Sequence, residues 1–276
     1  MKVVQMADAV RYPSMSTAEL RETFLLEGLV REGEIETRYV DLDRAVIGGA
    51  VPTTSPLTLE TQPELRADYF LERRELGVLN VGGSGVATVD DASFAMDKLD
   101  CLYIGRGHRS VTFASNDASQ PAAFYLLSYP AHATYPTTLA KFNELQPVHL
   151  GSEETCNKRS IYKAIFLDGI RSCQLVMGFT LLAPGSNWNT MPPHTHMRRS
   201  EVYFYFEVDP SQRVLHLMGP ATETRHLVVG NREVVVSPGW SIHAGVGTKN
   251  YGFCWGMGGE NQRYDDMDLL AITDLK

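Results

Sequence analysis

The chain has 276 residues, of which 43% are hydrophobic and 21% are charged, and its formal net charge is −8. This length and composition are typical of a globular protein with one large domain or two ordinary ones. The acidic balance argues against nucleic acid as a partner, because the sequence has no basic stripe that would displace counterions from phosphates.

The sequence also lacks the features of an exported or membrane-bound protein. Its first residues contain no apolar core of a secretory signal, and no run approaches the roughly 18 apolar residues of a membrane span. The four cysteines lie far apart and form no C-x-x-C pair, a pattern typical of reduced thiols. We therefore expect a cytoplasmic protein with no membrane partner.

Short strands dominate the predicted elements. One helix is predicted near the N-terminus, where Ser16 or Thr17 caps a segment that runs to Leu25, and a second short helix is predicted at Thr138–Leu145. Elsewhere, runs rich in Val, Ile, Phe and Tyr alternate with turn residues, as in β-sandwiches and β-barrels. The predicted strands are Gly77–Val81, Cys101–Ile104, Ser110–Ala114, Phe124–Ser128, Leu175–Thr180, Val202–Val208, Val214–Met218, His226–Val229, Glu233–Ser237 and Tyr251–Gly256.

A weak internal repeat indicates two β modules. Arg73-Arg74-Glu75 and the apolar run after it resemble Arg198-Arg199-Ser200-Glu201 and the run that follows. Further along each half, a strand leads into a glycine-bearing turn and a histidine, which is His108 in the first half and His243 in the second. Chance similarity of short β segments is the alternative. We interpret the pattern as two copies of a β-barrel module.

The boundary between the modules is predicted in the polar segment Gln146–Ser160, which lacks strand alternation. This gives an N-terminal domain of residues 1–150 and a C-terminal domain of residues 151–276.

The candidate functional residues lie in the second half of the chain. On a strand, side chains at i and i+2 project from one face, so His194 and His196 can reach the same ion. Glu201 returns to that face only if the chain turns or bulges after His196, and His243 follows a Pro-Gly turn further on. An H-x-H pair alone is more often structural, but the combined pattern predicts a metal site.

The type of metal stays open at this stage. Three imidazoles and one carboxylate suit Zn²⁺, Fe²⁺, Mn²⁺, Co²⁺ or Ni²⁺. From Glu201 onward, strict alternation places Tyr203 and Tyr205 on the same face as the carboxylate. The opposite face is apolar, and we expect another domain or another subunit to cover it.

H-x-H-x₄-E followed by P-G-x-x-x-H resembles the two motifs of the cupin superfamily, although Trp188 stands where those motifs usually have a glycine. More closely, the chain resembles the 5-keto-4-deoxyuronate isomerase family, also called 4-deoxy-L-threo-5-hexosulose-uronate ketol-isomerases. Segments along nearly the whole chain carry this resemblance: Tyr69–Gly77, Trp188–Pro192, His194–His196, Glu201–Phe206, Glu223–His226, Trp240–His243, Gly259–Gln262 and Asp265–Asp268.

The resemblance implies an all-β bicupin fold, in which two small antiparallel β-barrels of jelly-roll type are accompanied by few short helices. It implies one zinc ion per subunit, held by His194, His196, Glu201 and His243, and a homohexamer that acts in pectin and uronate breakdown. Phe70 and Glu72 stand where the first barrel would have its histidine pair. We therefore expect the N-terminal barrel to be metal-free and His108 to be structural.

The implied reaction converts 5-dehydro-4-deoxy-D-glucuronate to 3-deoxy-D-glycero-2,5-hexodiulosonate. It is an aldose–ketose isomerisation, an intramolecular oxidoreduction in which a proton leaves the carbon beside a carbonyl and returns one carbon away. A base within hydrogen-bond reach must move that proton. The candidate is Glu260, with Tyr203, Tyr205 and Tyr264 as alternatives; a solvated turn carboxylate and core tyrosines are the competing interpretations.

The substrate is a small ketouronate, and its carboxylate calls for a forked guanidinium. Arg198, Arg199 and Arg225 are the candidates because they lie near the metal strands in sequence, although surface or interface ion pairs are the competing interpretation for each. Two other functions remain open. One is an iron-dependent cupin dioxygenase with the same four ligands, and the other is a non-catalytic sugar-binding cupin, against which the complete ligand set counts.

Overall fold

The computed structural model describes residues 1–260 and 266–276. These residues contain one α-helix, α1 (Thr17–Phe24), which begins with a capping box between Ser16 and Glu19. The predicted first helix is thereby confirmed. Within the described ranges, no helix has the length and apolar character needed to cross a membrane.

Strands make up most of the remaining regular structure. In chain order they are β1 (Lys2–Val4), β2 (Leu25–Leu26), β3 (Ile35–Val40), β4 (Val46–Ala50), β5 (Leu57–Thr58), β6 (Arg74–Asn80), β7 (Gly85–Val89), β8 (Ala92–Met96), β9 (Cys101–Ile104), β10 (Val111–Ser115), β11 (Phe124–Pro130), β12 (Thr138–Ala140), β13 (Val148–Leu150), β14 (Arg159–Ile165), β15 (Val176–Leu182), β16 (Trp188–Asn189), β17 (His194–Thr195), β18 (Arg199–Phe206), β19 (Val214–Gly219), β20 (Arg225–Val229), β21 (Val234–Ser237), β22 (Ile242–Gly247), β23 (Gly252–Gly259) and β24 (Asp268–Leu269). Short 3₁₀ helices span Tyr12–Ser14, Leu42–Arg44, Pro63–Leu65, Phe142–Glu144 and Ile272–Asp274.

The chain divides into two compact units. The first comprises Met1–Val4, Gly28–Leu145 and Ala164–Met177, and the second comprises Gln5–Glu27, Gln146–Lys163 and Gly178–Lys276. The bounds therefore differ from a single cut after residue 150, because each unit takes in a segment from the other half of the chain. In the second unit, for example, Trp240 packs edge-on against Tyr12 and Phe24 of the N-terminal segment.

Both units repeat one sheet plan. The first has a seven-stranded sheet, β1-β3-β4-β11-β6-β9-β12, and a four-stranded sheet, β5-β10-β7-β8. The second is built on β13-β14-β15-β23-β18-β21-β2 and β16-β22-β19-β20, with a small β17-β24 pair. Most pairs are antiparallel, whereas β1 pairs with β3 in parallel. The all-β class with few short helices is confirmed, as is each of the ten predicted strands, apart from shifts at their ends.

The predicted helix at Thr138–Leu145 is wrong. Thr138–Ala140 instead forms β12 and pairs with β9, and a 3₁₀ turn follows. Side-chain contacts hold this segment extended: Lys141 Nζ lies 2.7 Å from an Asp100 carboxylate oxygen, and the other carboxylate oxygen accepts from the Phe142 amide. Pairing with a distant strand thus outweighs local helix propensity.

The internal repeat is visible in the strand register. Leu76 on β6 pairs with Ile104, the last residue of β9, and Glu201 on β18 pairs with Ser237, the last residue of β21. By this register Leu76 and Glu201 hold matching positions in the two units. Two residues earlier in each strand, Arg74 and Arg199 match as well.

The interior of the first unit is apolar. Leu76, Val78, Leu102 and Phe113 belong to one cluster of buried side chains that fills the space between its two sheets. His108 lies outside this cluster, where its two ring nitrogens are hydrogen-bonded to Asp90 and Thr137.

Candidate metal centre

The four predicted ligands come together from three strands of the second unit. His194 lies on β17 and His196 just beyond it; Glu201 lies on β18, and His243 on β22. Between His196 and β18 the chain turns, and the Arg199 amide donates to the His196 carbonyl at 3.3 Å. This is the reversal that the sequence required to bring Glu201 back to the face of the histidines.

The Pro-Gly turn before β22 approaches that reversal closely. A Cβ atom at Gly239 would lie 3.0 Å from the His196 carbonyl oxygen and 3.1 Å from that of Met197. A larger residue would push the two backbones apart. Glycine therefore lets the two motifs approach each other and sets the position of His243 against His196.

The ligand atoms form a compact group. One donor atom from each of His194, His196, Glu201 and His243 lies within 4.8 Å of the others. Glu201 Oε2 lies 2.8 Å from His196 Nε2 and 3.0 Å from His243 Nε2, and the latter lies 3.0 Å from His194 Nε2. His196, Glu201 and His243 are buried, and His194 is half-buried. The chain therefore contains a three-histidine, one-glutamate candidate metal site.

Backbone carbonyls orient two of the imidazoles. His196 Nδ1 donates to the Arg199 carbonyl at 3.0 Å, and His243 Nδ1 lies 3.3 Å from the Ser241 carbonyl. Because a carbonyl can only accept, each contact favours a proton on Nδ1 and leaves Nε2 to face the centre. Holding the second ring nitrogen in this way is typical of metal-binding histidines.

The electrostatics of the group match that assignment. Burial, reinforced by the neighbouring His243, lowers the pKa of His194 to about 3, so this imidazole is neutral at physiological pH. Burial alone would raise the pKa of Glu201, but the adjacent His243 and His196 hold it well below its usual range. Glu201 in turn raises the pKa of His196 against the effect of burial. The centre is a carboxylate among imidazoles.

A cavity of about 220 Å³ borders two of the ligands, His194 and Glu201. His194, Glu201, Tyr203, Arg199, Arg159 and Thr190 contribute its polar wall. Met191, Trp255, Met257, Met267 and Leu269 contribute much of the apolar wall. A few polar groups converging in an otherwise apolar pocket is the usual composition of a small-molecule site.

Tyr203 and Arg199, two of the candidates from the sequence, both line the cavity. The Tyr203 hydroxyl is 2.9 Å from Thr190 Oγ1 and donates to the His243 carbonyl at 3.4 Å, so it stands between the cavity wall and a ligand strand. Arg199 is buried in the wall, and its guanidinium pairs with Asp266. Arg198 pairs with the same Asp266, but its side chain is half exposed and lies outside the described cavity lining.

Two other candidates lie apart from the cavity. Arg225 lies on β20, the edge strand of its sheet, and its guanidinium donates to the Met15 carbonyl instead of turning to the site. Glu260 follows β23 and is exposed, and it is not among the described residues that line the cavity. Tyr264, with Asn261, Gln262 and Asp265, lies outside the described residues.

Beneath the ligands the interior of the second unit remains polar. Tyr205 shares the inward face of β18 with Glu201, as predicted, and its hydroxyl lies 2.7 Å from Nδ1 of the buried His216. The Tyr251 hydroxyl accepts from Asn189 Nδ2 at 2.5 Å.

The opposite face of β18 is also buried within the single chain, so no partner subunit is needed to cover Phe204.

Arg159 is the residue that the sequence interpretation missed. It lies on β14, at the end of the polar segment that the sequence assigned to a domain junction, and it lines the cavity from that strand. No local motif marks it, because β14 and the metal strands are brought together only by the sheet order.

Comparisons with known proteins agree with this geometry. A profile of the KduI/IolB family matches residues 26–272. The chain belongs to that family. It is 53% identical to the 4-deoxy-L-threo-5-hexosulose-uronate ketol-isomerase of Shouchella clausii, over 96% of each chain. It is 51% identical to the protein of the same name from Halalkalibacterium halodurans, over 98% of this chain and 96% of the relative.

A solved structure gives the same result for the fold. The crystal structure of an IolB-like protein from Salmonella typhimurium LT2 matches with a TM-score of 0.72 at 14% sequence identity, covering 90% of this chain and 96% of that one. The likeness supports the cupin-type fold of the chain.

Proposed function

We propose that this chain is a 4-deoxy-L-threo-5-hexosulose-uronate ketol-isomerase that uses a metal ion held by His194, His196, Glu201 and His243. The observation that carries the proposal is the convergence of these four side chains, two of which (His194 and Glu201) line a small cavity. The chain is also about half identical to isomerases of that name over nearly its full length. The alternative of a non-catalytic sugar-binding cupin leaves this buried ligand set without a use.

The donor set fits zinc. Neutral imidazole nitrogens and a carboxylate are ordinary zinc ligands, so these four side chains would hold that ion. Two of the imidazoles are oriented through Nδ1, so their Nε2 atoms face a common centre with the Glu201 carboxylate. Other divalent first-row metals accept the same donors. When bound, the metal supplies Lewis acidity that polarises a substrate carbonyl.

The protein itself must move one proton between adjacent carbons. Tyr203 is the group that we assign to this transfer, because its hydroxyl belongs to the cavity wall and is hydrogen-bonded to Thr190. A neutral phenol cannot take a proton from carbon, so the hydroxyl proton of Tyr203 must first leave along its hydrogen bond to Thr190. The phenolate then takes the proton from one carbon and returns it to the adjacent carbon. Glu260 has no role in the proposal, since its exposed position gives no described contact with the cavity.

Arginine side chains of the cavity bind the carboxylate group of the substrate in this proposal. Arg159 and Arg199 both line the cavity, and a guanidinium presents the paired N–H groups that match a carboxylate. Arg199 already pairs with Asp266, so its role is to set the charge and shape of the wall. We assign the direct contact with the substrate carboxylate to Arg159.

The setting we propose is cytoplasmic uronate breakdown after pectin degradation, with the chain assembled as a homohexamer. In support of assembly, Val148 and Leu150 expose apolar surface on β13, an edge strand, and Leu269 on β24 is 74% exposed. Such edges are usually covered in the working protein. Light scattering on the purified protein should give six times the mass of one chain, and a monomer would contradict the assembly.

The function is tested by incubating metal-loaded protein with 5-dehydro-4-deoxy-D-glucuronate and following the product by NMR, with and without oxygen. We expect 3-deoxy-D-glycero-2,5-hexodiulosonate at equal rates in both conditions. Unchanged substrate in both would remove the isomerase assignment, and turnover that consumed oxygen would assign an oxygenase instead.

A further inference from the structure

The first unit has a cavity of its own, of about 410 Å³, and its wall is rich in arginine. Arg44, Arg73, Arg74 and Arg106 line it, against a single lining carboxylate, that of Glu64. The wall is therefore positively charged, in a chain whose net charge is −8. Four like charges around one space are unfavourable unless an anion joins them.

The deepest of these arginines is buried without a carboxylate bonded to it in the described structure. Arg74 is 6% exposed and donates to neutral acceptors, namely the Ser128 hydroxyl at 3.0 Å, the Ser128 carbonyl at 2.8 Å and the Arg44 carbonyl at 2.7 Å. Burial is the main cause that lowers the pKa of Arg74 to about 10, which leaves the guanidinium charged at neutral pH. The neighbouring Glu75 raises this pKa only as a minor cause, so the buried cation remains costly unless a further negative group comes near it.

The other arginines keep most of their donors available. Each guanidinium carries five N–H donors. Arg106 uses one for the Ala131 carbonyl and Arg73 one for Glu72, and the exposed Arg44 guanidinium has no hydrogen bond to another described side chain or carbonyl. The unused donors border one space, so a single ligand could receive several of them.

The position of this cavity repeats that of the metal site. Arg74 matches Arg199 in the strand register, and both line the cavity of their own unit. In the second unit the next inward residue is Glu201, a candidate ligand, whereas in the first it is Leu76, which belongs to the apolar core. The first unit therefore keeps the arginine at the start of the strand, Arg74 on β6, but has an apolar residue where the second unit has a candidate metal ligand.

From these observations we infer that the arginine-lined cavity of the first unit is a binding site for a small oxyanion, the carboxylate or phosphate group of a sugar-sized metabolite. A guanidinium fork offers paired donors to either group, and the cavity is larger than the one above the metal ligands. The site is independent of the isomerase reaction.

Calorimetric titration of the full-length, metal-loaded protein tests the site, with inorganic phosphate and D-glucuronate as separate probes at constant ionic strength. We expect Arg44→Gln/Arg73→Gln to weaken one binding event by at least about tenfold, because both substitutions remove a guanidinium that would donate charge-assisted hydrogen bonds to the anion. Arg66→Gln is the matched control, because Arg66 is an exposed arginine of the same unit that does not line the cavity, and it should bind as the wild type does.

Arg159→Gln protein separates this site from the metal cavity. Binding that persists in Arg159→Gln and is lost in Arg44→Gln/Arg73→Gln supports the inference, and the preferred probe then identifies a carboxylate or a phosphate ligand. Both substituted arginines are exposed, and an unchanged unfolding temperature will verify that the double variant is folded; either single variant serves if it is not. The inference is overturned if neither probe binds, or if the double variant binds like the wild type.

Discussion

The two units share one sheet plan but differ in what fills the space between their sheets. At matching positions, β6 places Leu76 and β18 places Glu201 on the inward face. Around Leu76 the interior is closed by apolar side chains, and around Glu201 it is lined by histidines and tyrosines. The comparison shows that the fold tolerates either filling, and that chemistry depends on a few inward positions.

The difference has an energetic side. Burying a large apolar side chain stabilises a protein by about 1.5–3 kcal/mol, whereas a buried polar group costs free energy unless it is hydrogen-bonded. In the second unit, buried polar side chains are hydrogen-bonded to one another, as Tyr205 is to His216 and Asn189 is to Tyr251. The first unit needs few such pairs between its sheets. We expect it to contribute stability, and the second unit to contribute turnover.

The largest expected effect comes from removing a ligand. His243→Ala should abolish stoichiometric metal binding and lower kcat/KM by about 10³-fold or more, because a catalytic metal supplies several kcal/mol of transition-state stabilisation. Metal analysis and the NMR assay measure both. His108→Ala, a histidine of the first unit bonded to Asp90 and Thr137, should retain metal and turnover. Full activity of His243→Ala without metal would make the ion purely structural.

Removing one hydroxyl in the cavity should have the next largest effect. Tyr203→Phe should lower kcat by about 10²-fold with little change in KM, as expected for the loss of a proton-transfer group. Tyr251→Phe is the control, because that hydroxyl is buried away from the cavity; it should reduce the free energy of unfolding by about 1–3 kcal/mol by unpairing Asn189. Equal turnover in Tyr203→Phe and the wild type would assign the proton transfer elsewhere.

The arginine that the sequence missed gives a smaller effect on a different parameter. Arg159→Gln should raise KM for the ketouronate by about 10–100-fold, because a hydrogen bond between charged groups contributes about 1.5–3 kcal/mol. Arg213→Gln, whose guanidinium donates to nearby loop carbonyls, should leave KM unchanged. If Arg159→Gln also leaves KM unchanged while Arg198→Gln raises it, the carboxylate contact belongs to Arg198.

The smallest effect on activity is expected at the matching position of the first unit. Leu76→Ala should lower the free energy of unfolding by about 2–5 kcal/mol, because it leaves a cavity in the apolar core. Metal content and kcat at a temperature where the protein is folded should be unchanged. Leu76→Met, which conserves volume, should cost less than about 1.5 kcal/mol. Loss of metal in Leu76→Ala would show that the two interiors are not independent.

Much of this structure could be predicted from the sequence because its signals are local. The i, i+2 spacing of His194 and His196, the turn before Glu201 and the Pro-Gly turn before His243 are each contained in a few residues. The same is true of the alternation that turns Tyr203 and Tyr205 inward. The capping box that starts α1 is another local signal, and the structure contains it.

What the sequence did not predict depends on distant pairing. Arg225 is close in sequence to the metal strands, yet it lies on the edge strand of its sheet and bonds to Met15. Arg159 is far in sequence but lines the cavity. Likewise, Thr138–Ala140 is a strand because β9 offers it a partner. The exchange of Gln5–Glu27 and Ala164–Met177 between the halves has no local signature either.

Anomalous X-ray diffraction at the zinc absorption edge, from crystals of zinc-loaded protein, tests the central claim most directly. We predict one strong peak per chain, about 2.0–2.2 Å from Nε2 of His194, His196 and His243 and from the Glu201 carboxylate. A chain with no peak between these side chains, or with its metal bound elsewhere, would contradict the account.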